Sequence, residues 1–314
     1  MKKFLFILLN LISLYSIVSA QVTLGNNKGN VYDFCISKDG NKIYIPSNNQ
    51  IEVWNTQTYA LEETLTIADR GKIIFINLNS EGNNIATSFN DSTIRIYDLN
   101  TKYSNLVLRN EGMTTYIKFS PDDRKLASVT TDKTIVIWDL DSSKPESILF
   151  GHNNDITDIE FVDNNRLLSC SADHSIILWD IQNEMPVAKC IASKNWIRDL
   201  SINASRTKIV SCGDDGNIQL WYISDNKSFR LISKTKFCFN WIMSVDFLDE
   251  ETYVFSGHNK MVNIRSYYAN YSYKLSSYIN KVAFIPEKKS FTVAIATQGN
   301  GLIIVDSKKM HRIE

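Results

Sequence analysis

The chain has 314 residues, of which 44% are hydrophobic and 22% charged. That is the composition of an ordinary globular protein, long enough to bury a core without disulfides or metals. Lys plus Arg and Asp plus Glu number 34 each, which argues against a surface that recruits nucleic acid or anionic membrane by bulk charge.

The first element is a leader over residues 1–20. Lys2 and Lys3 precede an apolar run from Phe4 to Val18, and Val18, Ser19 and Ala20 put small residues ahead of Gln21. This is the pattern of a secretory signal peptide; the alternative is an anchor, since the run approaches spanning length. With cleavage, residues 21–314 form the mature protein, exported to the periplasm or secreted, with no membrane insertion thereafter.

A strand-like "QVTL" (Gln21 to Leu24) follows, and then a repeat. "IEVWN", "IRIYD", "IVIWD", "IILWD" and "IQLWY" place Trp54, Tyr97, Trp138, Trp179 and Trp221 at spacings of 43, 41, 41 and 42 residues. Two weaker copies surround Arg265 and Val305, at spacings of 44 and 40. Each unit reads as short strands separated by Asn, Asp, Gly and Ser clusters. In the fourth unit the strands are "ITDIEF", "RLLSCS", "SIILWD" and "PVAKCI". Four strands make a sheet too small to stand alone, and radial stacking of such sheets buries their faces: a β-propeller.

The stretches Gly151–His152 … Asp173 … Trp179–Asp180 and "FSPDDRKLASVTTDKTIVIWD" (Phe119 to Asp139) resemble the WD-repeat (WD40) β-propeller family. The resemblance runs from about Gln21 to Asp306 and is strongest in units three to five. It implies an all-β, seven-bladed propeller of four-stranded antiparallel blades, with the N-terminal strand completing the last blade. It also implies a protein that holds a protein or peptide partner rather than one that performs chemistry.

His152, Ser169 and Asp173 have the residue types of a nucleophilic triad. The resemblance implies instead a structural tetrad of His152, Ser169 (or Ser171), Asp173 and Trp179, whose buried polar groups satisfy one another. Asp91, Asp132 and Asp215 recur at the same offset without a matching His, so one complete tetrad is expected. Five cysteines without CxxC pairs and four scattered histidines indicate neither a disulfide framework nor a metal site, and no cofactor motif is present. Cys170 and Cys212 read as buried thiols. A propeller enzyme, a hydrolase or lyase, would need clustered carboxylates on the innermost strands, which read here as mainly apolar or neutral.

The residue opening the first strand of each unit is Asn30, Lys72, Met113, Asp155, Trp196, Trp241 and Tyr278 in turn. The three large aromatics fall on units five to seven, and two residues later come Arg198, Met243 and Asn280. These residue types are common at interface centres. Two roles remain for them: a partner-binding patch, or packing between blades. A glycan or small-ligand site on Trp196 and Trp241 is a further alternative.

Overall fold

The computed structural model describes residues 21–24, 29–68, 71–224, 228–286 and 290–313; the leader lies outside the described residues. Seven antiparallel sheets follow one another around a ring. Blade one holds β2 to β5 (Cys35–Ile36, Lys42–Ser47, Gln50–Asn55, Leu61–Thr66). Blades two to five continue through β6 (Ile73–Leu78), β10 (Thr114–Phe119), β14 (Ile156–Asp163) and β18 (Ile197–Ile202) as their first strands. β22 (Ile242–Phe247) and β26 (Ile279–Phe284) open blades six and seven.

The N-terminal β1 (Gln21–Leu24) pairs with β28 (Leu302–Asp306), Gln21 opposite Val305 and Leu24 opposite Leu302, and supplies the outer strand of blade seven. Blade six departs from the four-stranded expectation. Its β25 (Asn270–Lys274) carries a fifth strand, β29 (His311–Ile313), with Asn270 opposite Ile313. Three residues after a short 3-10 turn suffice to cap an edge, a length that leaves no periodic signal to read.

Burial explains the strand sequences. Second and third strands lie between neighbouring blades and are covered on both faces, as in Lys125–Thr130 and Arg166–Ser171. They therefore read as short continuous runs of Ile, Leu, Val and Ser. Outer strands face water, and Phe229–Lys236 is exposed along most of its length. Among the described residues the apolar core divides into seven clusters, one at each joint between consecutive blades. Blade-to-blade packing is thus the principal source of stability.

In blades two to seven the first strand shifts register just after its opening residue. The shift is a β-bulge, and the extra residue is Arg198 in blade five, Met243 in six and Asn280 in seven. A bulge bends its strand and re-aims side chains at a rim. It sends the next residue into the central channel and leaves the bulged residue beside the upper face.

The upper face and the central channel

In blade four the structure brings His152, Ser169, Asp173 and Trp179 into one chain. The Trp179 indole N–H donates to Ser169 Oγ at 2.8 Å. Ser169 Oγ lies 2.7 Å from His152 Nε2, and His152 Nδ1 lies 3.0 Å from Asp173 Oδ2. Burial lowers the His152 pKa, against the pull of Asp173, so the ring is neutral near pH 7. Nδ1–H then donates to Asp173 and Nε2 accepts from Ser169, and every proton in the chain has a partner. Burial opposes ionisation of Asp173, but hydrogen bonds from Ser175, the Asn153 N–H and His152 outweigh it and hold the carboxyl well below its ordinary range.

The order Ser–His–Asp is that of a nucleophilic triad, yet Ser169 and Trp179 are each 0% exposed. A carbonyl substrate has no approach to this oxygen, whose remaining valence is filled by an indole. Ser171 accepts the Asp173 N–H instead and stays outside the chain. The residue before the tetrad must be small, because a Cβ on Gly151 would stand 2.9 Å from the Trp179 ring.

Blades three and five keep shorter versions, Trp138 on Ser128 at 2.9 Å and Trp221 on Ser211 at 3.0 Å. In blade three Asn110, 42 residues before His152, reaches Ser128 at 3.1 Å and takes the histidine's place. An amide there escapes a search for His, although its position in the repeat announces it.

The aromatics of blades five to seven form a continuous row. The Arg198 guanidinium lies over the Trp196 ring at 4.9 Å and the Trp241 ring at 5.4 Å. Trp241 meets His258 edge-on at 5.0 Å, and His258 stacks on Tyr278 at 4.5 Å, which Lys260 also covers at 4.6 Å. Asp214 grips Arg198 with two hydrogen bonds of 2.6 and 2.8 Å, fixing its plane. Trp196, Trp241 and Tyr278 nonetheless remain 42%, 45% and 40% exposed, so the rings pack on their neighbours and face solvent at once. Met243 is half-buried. Asn280 turns away from the row: it donates to the Val31 carbonyl at 2.7 Å and accepts from Gln298, tying blade seven to blade one.

The central channel corrects the expectation of apolar or neutral inner strands. Its walls carry Asp33, Asp158, Glu160, Asp199 and Asp246 together with Lys118, Lys281 and Tyr116. Several of these surround a cavity of ≈ 320 Å³. Their positions repeat: the residue after each bulge points inward, and so does the one two further on. Read with period two, "DIEF" and "SVDF" alternate polar and apolar residues, so the ionisable ones hide in strands that read as apolar overall.

These groups stitch neighbouring blades. Asp33 accepts the Ile76 N–H at 2.8 Å, Asn77 that of Phe119 at 2.9 Å, and Asp158 that of Leu200 at 3.1 Å. Asp199 accepts from Val245 at 2.8 Å and Asp246 from Phe284 at 3.0 Å. Ion pairs join Lys118 to Glu160 and Lys281 to Asp33. Every one of the seven joints therefore has a polar latch on its channel side.

Burial, with Asp199 and Glu160 nearby, pushes the Asp158 carboxyl well above the usual range. Burial likewise pushes Asp246 up to about 7. For Lys118 and Lys281 burial opposes the charge, but Glu160 and Asp33 respectively prevail and raise their pKa values. Among the described residues no group of three or more His, Cys, Asp or Glu is placed to hold a metal. The five cysteines are unpaired, and Cys170 and Cys212 are buried.

The family model "WD domain, G-beta repeat" matches residues 110–139, 143–180 and 185–222. No curated protein matches the chain. The three matched repeats end at the Trp-bearing strands of blades three to five, the same units whose indoles hydrogen-bond to a serine. Three consecutive WD40 repeats thus lie within a closed ring of seven blades: the chain is a seven-bladed β-propeller that carries WD40 repeats in blades three to five.

Proposed function

We propose that the protein is an exported, non-catalytic scaffold that holds a protein or peptide partner against the upper face of blades five to seven. Propellers of this family as a rule hold partners rather than catalyse. The row from Trp196 through Arg198, Trp241 and His258 to Tyr278 carries the reading. Large rings held rigid by stacking, yet about two-fifths exposed, lose little conformational freedom on binding, which favours affinity.

The experiment compares Trp241→Ala with the unaltered protein in capturing material from its own compartment, alongside thermal unfolding. Lost capture with an unchanged midpoint supports the reading. A lowered midpoint with capture retained makes the ring a packing element and refutes it.

A second reading, a hydrolase or lyase working in the channel, draws on the carboxyl groups of Asp158 and Asp246, which retain protons at unusually high pH. The scaffold reading is preferred because both groups already latch blades together, and the Ser201 hydroxyl that donates to Asp246 at 3.4 Å is itself tied to the next strand, accepting the Phe247 N–H at 3.1 Å. A fold does not by itself confer an activity.

A further inference from the structure

The zero net charge of the chain conceals a division of the upper face. On blades five to seven this face is built from residues 192–196, 213–216, 236–241, 257–260, 275–278 and 298–301. They include three lysines, Lys194, Lys236 and Lys260, and two carboxylates. The side chains of Asp214 and Asp215 are only 13% and 11% exposed, and each is paired, with Arg198 and Lys234 respectively. Lys236 and Lys260 donate to the carbonyls of Asp215 and Ser276, contacts that leave their charge uncancelled. Across the ring, on blades two to four, acids outnumber bases: Asp91, Glu111, Asp132 and Asp155 are exposed beside the exposed Lys72, Arg109 and Lys133. The sector that carries the aromatic row is therefore the basic sector.

The same sector carries a further exposed ring. Phe239, two residues before Trp241, is 97% exposed, and Lys236 stands 5.8 Å from its centroid. A fully exposed phenylalanine beside half-exposed indoles extends the apolar surface of this sector.

We propose that this sector binds an acidic peptide segment of a partner protein, its carboxylates set toward Lys194, Lys236 and Lys260 and an aromatic or aliphatic anchor against Phe239 and Trp241. This rests on the scaffold reading and adds the partner's chemistry. Single-stranded nucleic acid also combines negative charge with stacking, but a base needs an open ring face. Here one face of Trp196, Trp241 and Tyr278 is already covered by Arg198 or Lys260. What remains available suits side chains lying along the row.

The test is selection of a random-sequence peptide library on the protein, in parallel with Trp241→Ala and with a Lys236→Glu/Lys260→Glu double variant. All three are first shown to share one melting midpoint. The expected result is enrichment of Asp plus Glu by about threefold in peptides that also carry a large apolar residue. That enrichment should fade in high salt as surface charges are screened and invert toward Lys and Arg with the double variant. Peptides enriched without acidic bias, or an unchanged selection by the double variant, overturn the acidic chemistry. If those peptides still require Trp241, the scaffold reading survives alone; if they bind Trp241→Ala equally, both fall. A labelled oligothymidine that binds more tightly than the selected peptides overturns the choice of a peptide.

Discussion

Replacing Ser169 by Ala removes one oxygen from a site that is 0% exposed and strips two neighbours of their partners. The Trp179 indole loses its acceptor at 2.8 Å, and His152 Nε2 loses the hydroxyl at 2.7 Å. Leaving a buried polar group unsatisfied costs about 1–3 kcal/mol, so two orphaned groups cost about 2–6 kcal/mol. Ser211→Ala in blade five supplies an internal control, since Trp221 alone donates there at 3.0 Å, and its cost should be about 1–3 kcal/mol. Denaturant unfolding followed by tryptophan fluorescence measures both. The expected order is Ser169→Ala well below Ser211→Ala, with the unaltered protein uppermost. Equal losses in the two variants would show that the histidine arm adds nothing and would refute the tetrad's role. A fluorophosphonate probe run beside them should label neither the protein nor the variant. Labelling that Ser169→Ala abolished would make Ser169 a nucleophile, contrary to its burial.

Three further outcomes are expected. The folded-state pKa of Asp246, about 7, lies above its unfolded value near 3.8; its stabilising contribution is full below the unfolded value and is lost as pH rises through about 7. Asp246→Asn, which keeps an acceptor for the Phe284 N–H, should therefore gain stability relative to the unaltered protein between about pH 5 and pH 8; a difference in melting midpoint that is flat across that window contradicts the assignment. Leu24, 1% exposed in the strand that closes the ring, should cost about 2–5 kcal/mol as Leu24→Ala; a loss under about 1 kcal/mol would mean that closure does not depend on β1. Ending the chain at Met310 should leave stability nearly intact but expose the edge of β25, and concentration-dependent self-association in sedimentation is the expected sign. A truncated protein that stays monomeric argues that β29 is not an edge cap.

The blades and their number were legible because repetition amplifies a weak local signal. Any one run such as "IILWD" is ambiguous, but copies near 42-residue spacing leave one architecture that buries them all. The tetrad was legible through the resemblance to WD repeats, which implies its members at fixed offsets from Trp179. The aromatic row was legible only as three residues in equivalent positions. His258 and Lys260, which complete it, come from the single turn 257–260 of blade six, where His258 stands just before the repeat's turn position, and Phe239 lies outside the repeat's pattern.

The channel is hidden in the sequence because its ionisable residues are interleaved with apolar ones along the first strand of each blade. Alternation along a strand sends successive side chains to opposite sides, and only the closed ring turns one side into a shared interior. Asn280 shows the converse: its place in the repeat suggested the surface, whereas the neighbouring blade offers its amide the Val31 carbonyl.

By itself the sequence determined the number of blades and their strand order, because periodic burial is a local property repeated along the chain; the closing role of the N-terminal strand came from the resemblance to WD repeats. Tertiary structure alone decided which polar residues meet across a joint. It brought Asp33 to Lys281, Arg198 between two indoles, and the last three residues of β29 onto blade six. Those contacts depend on distances between blades, and no spacing along the chain encodes them.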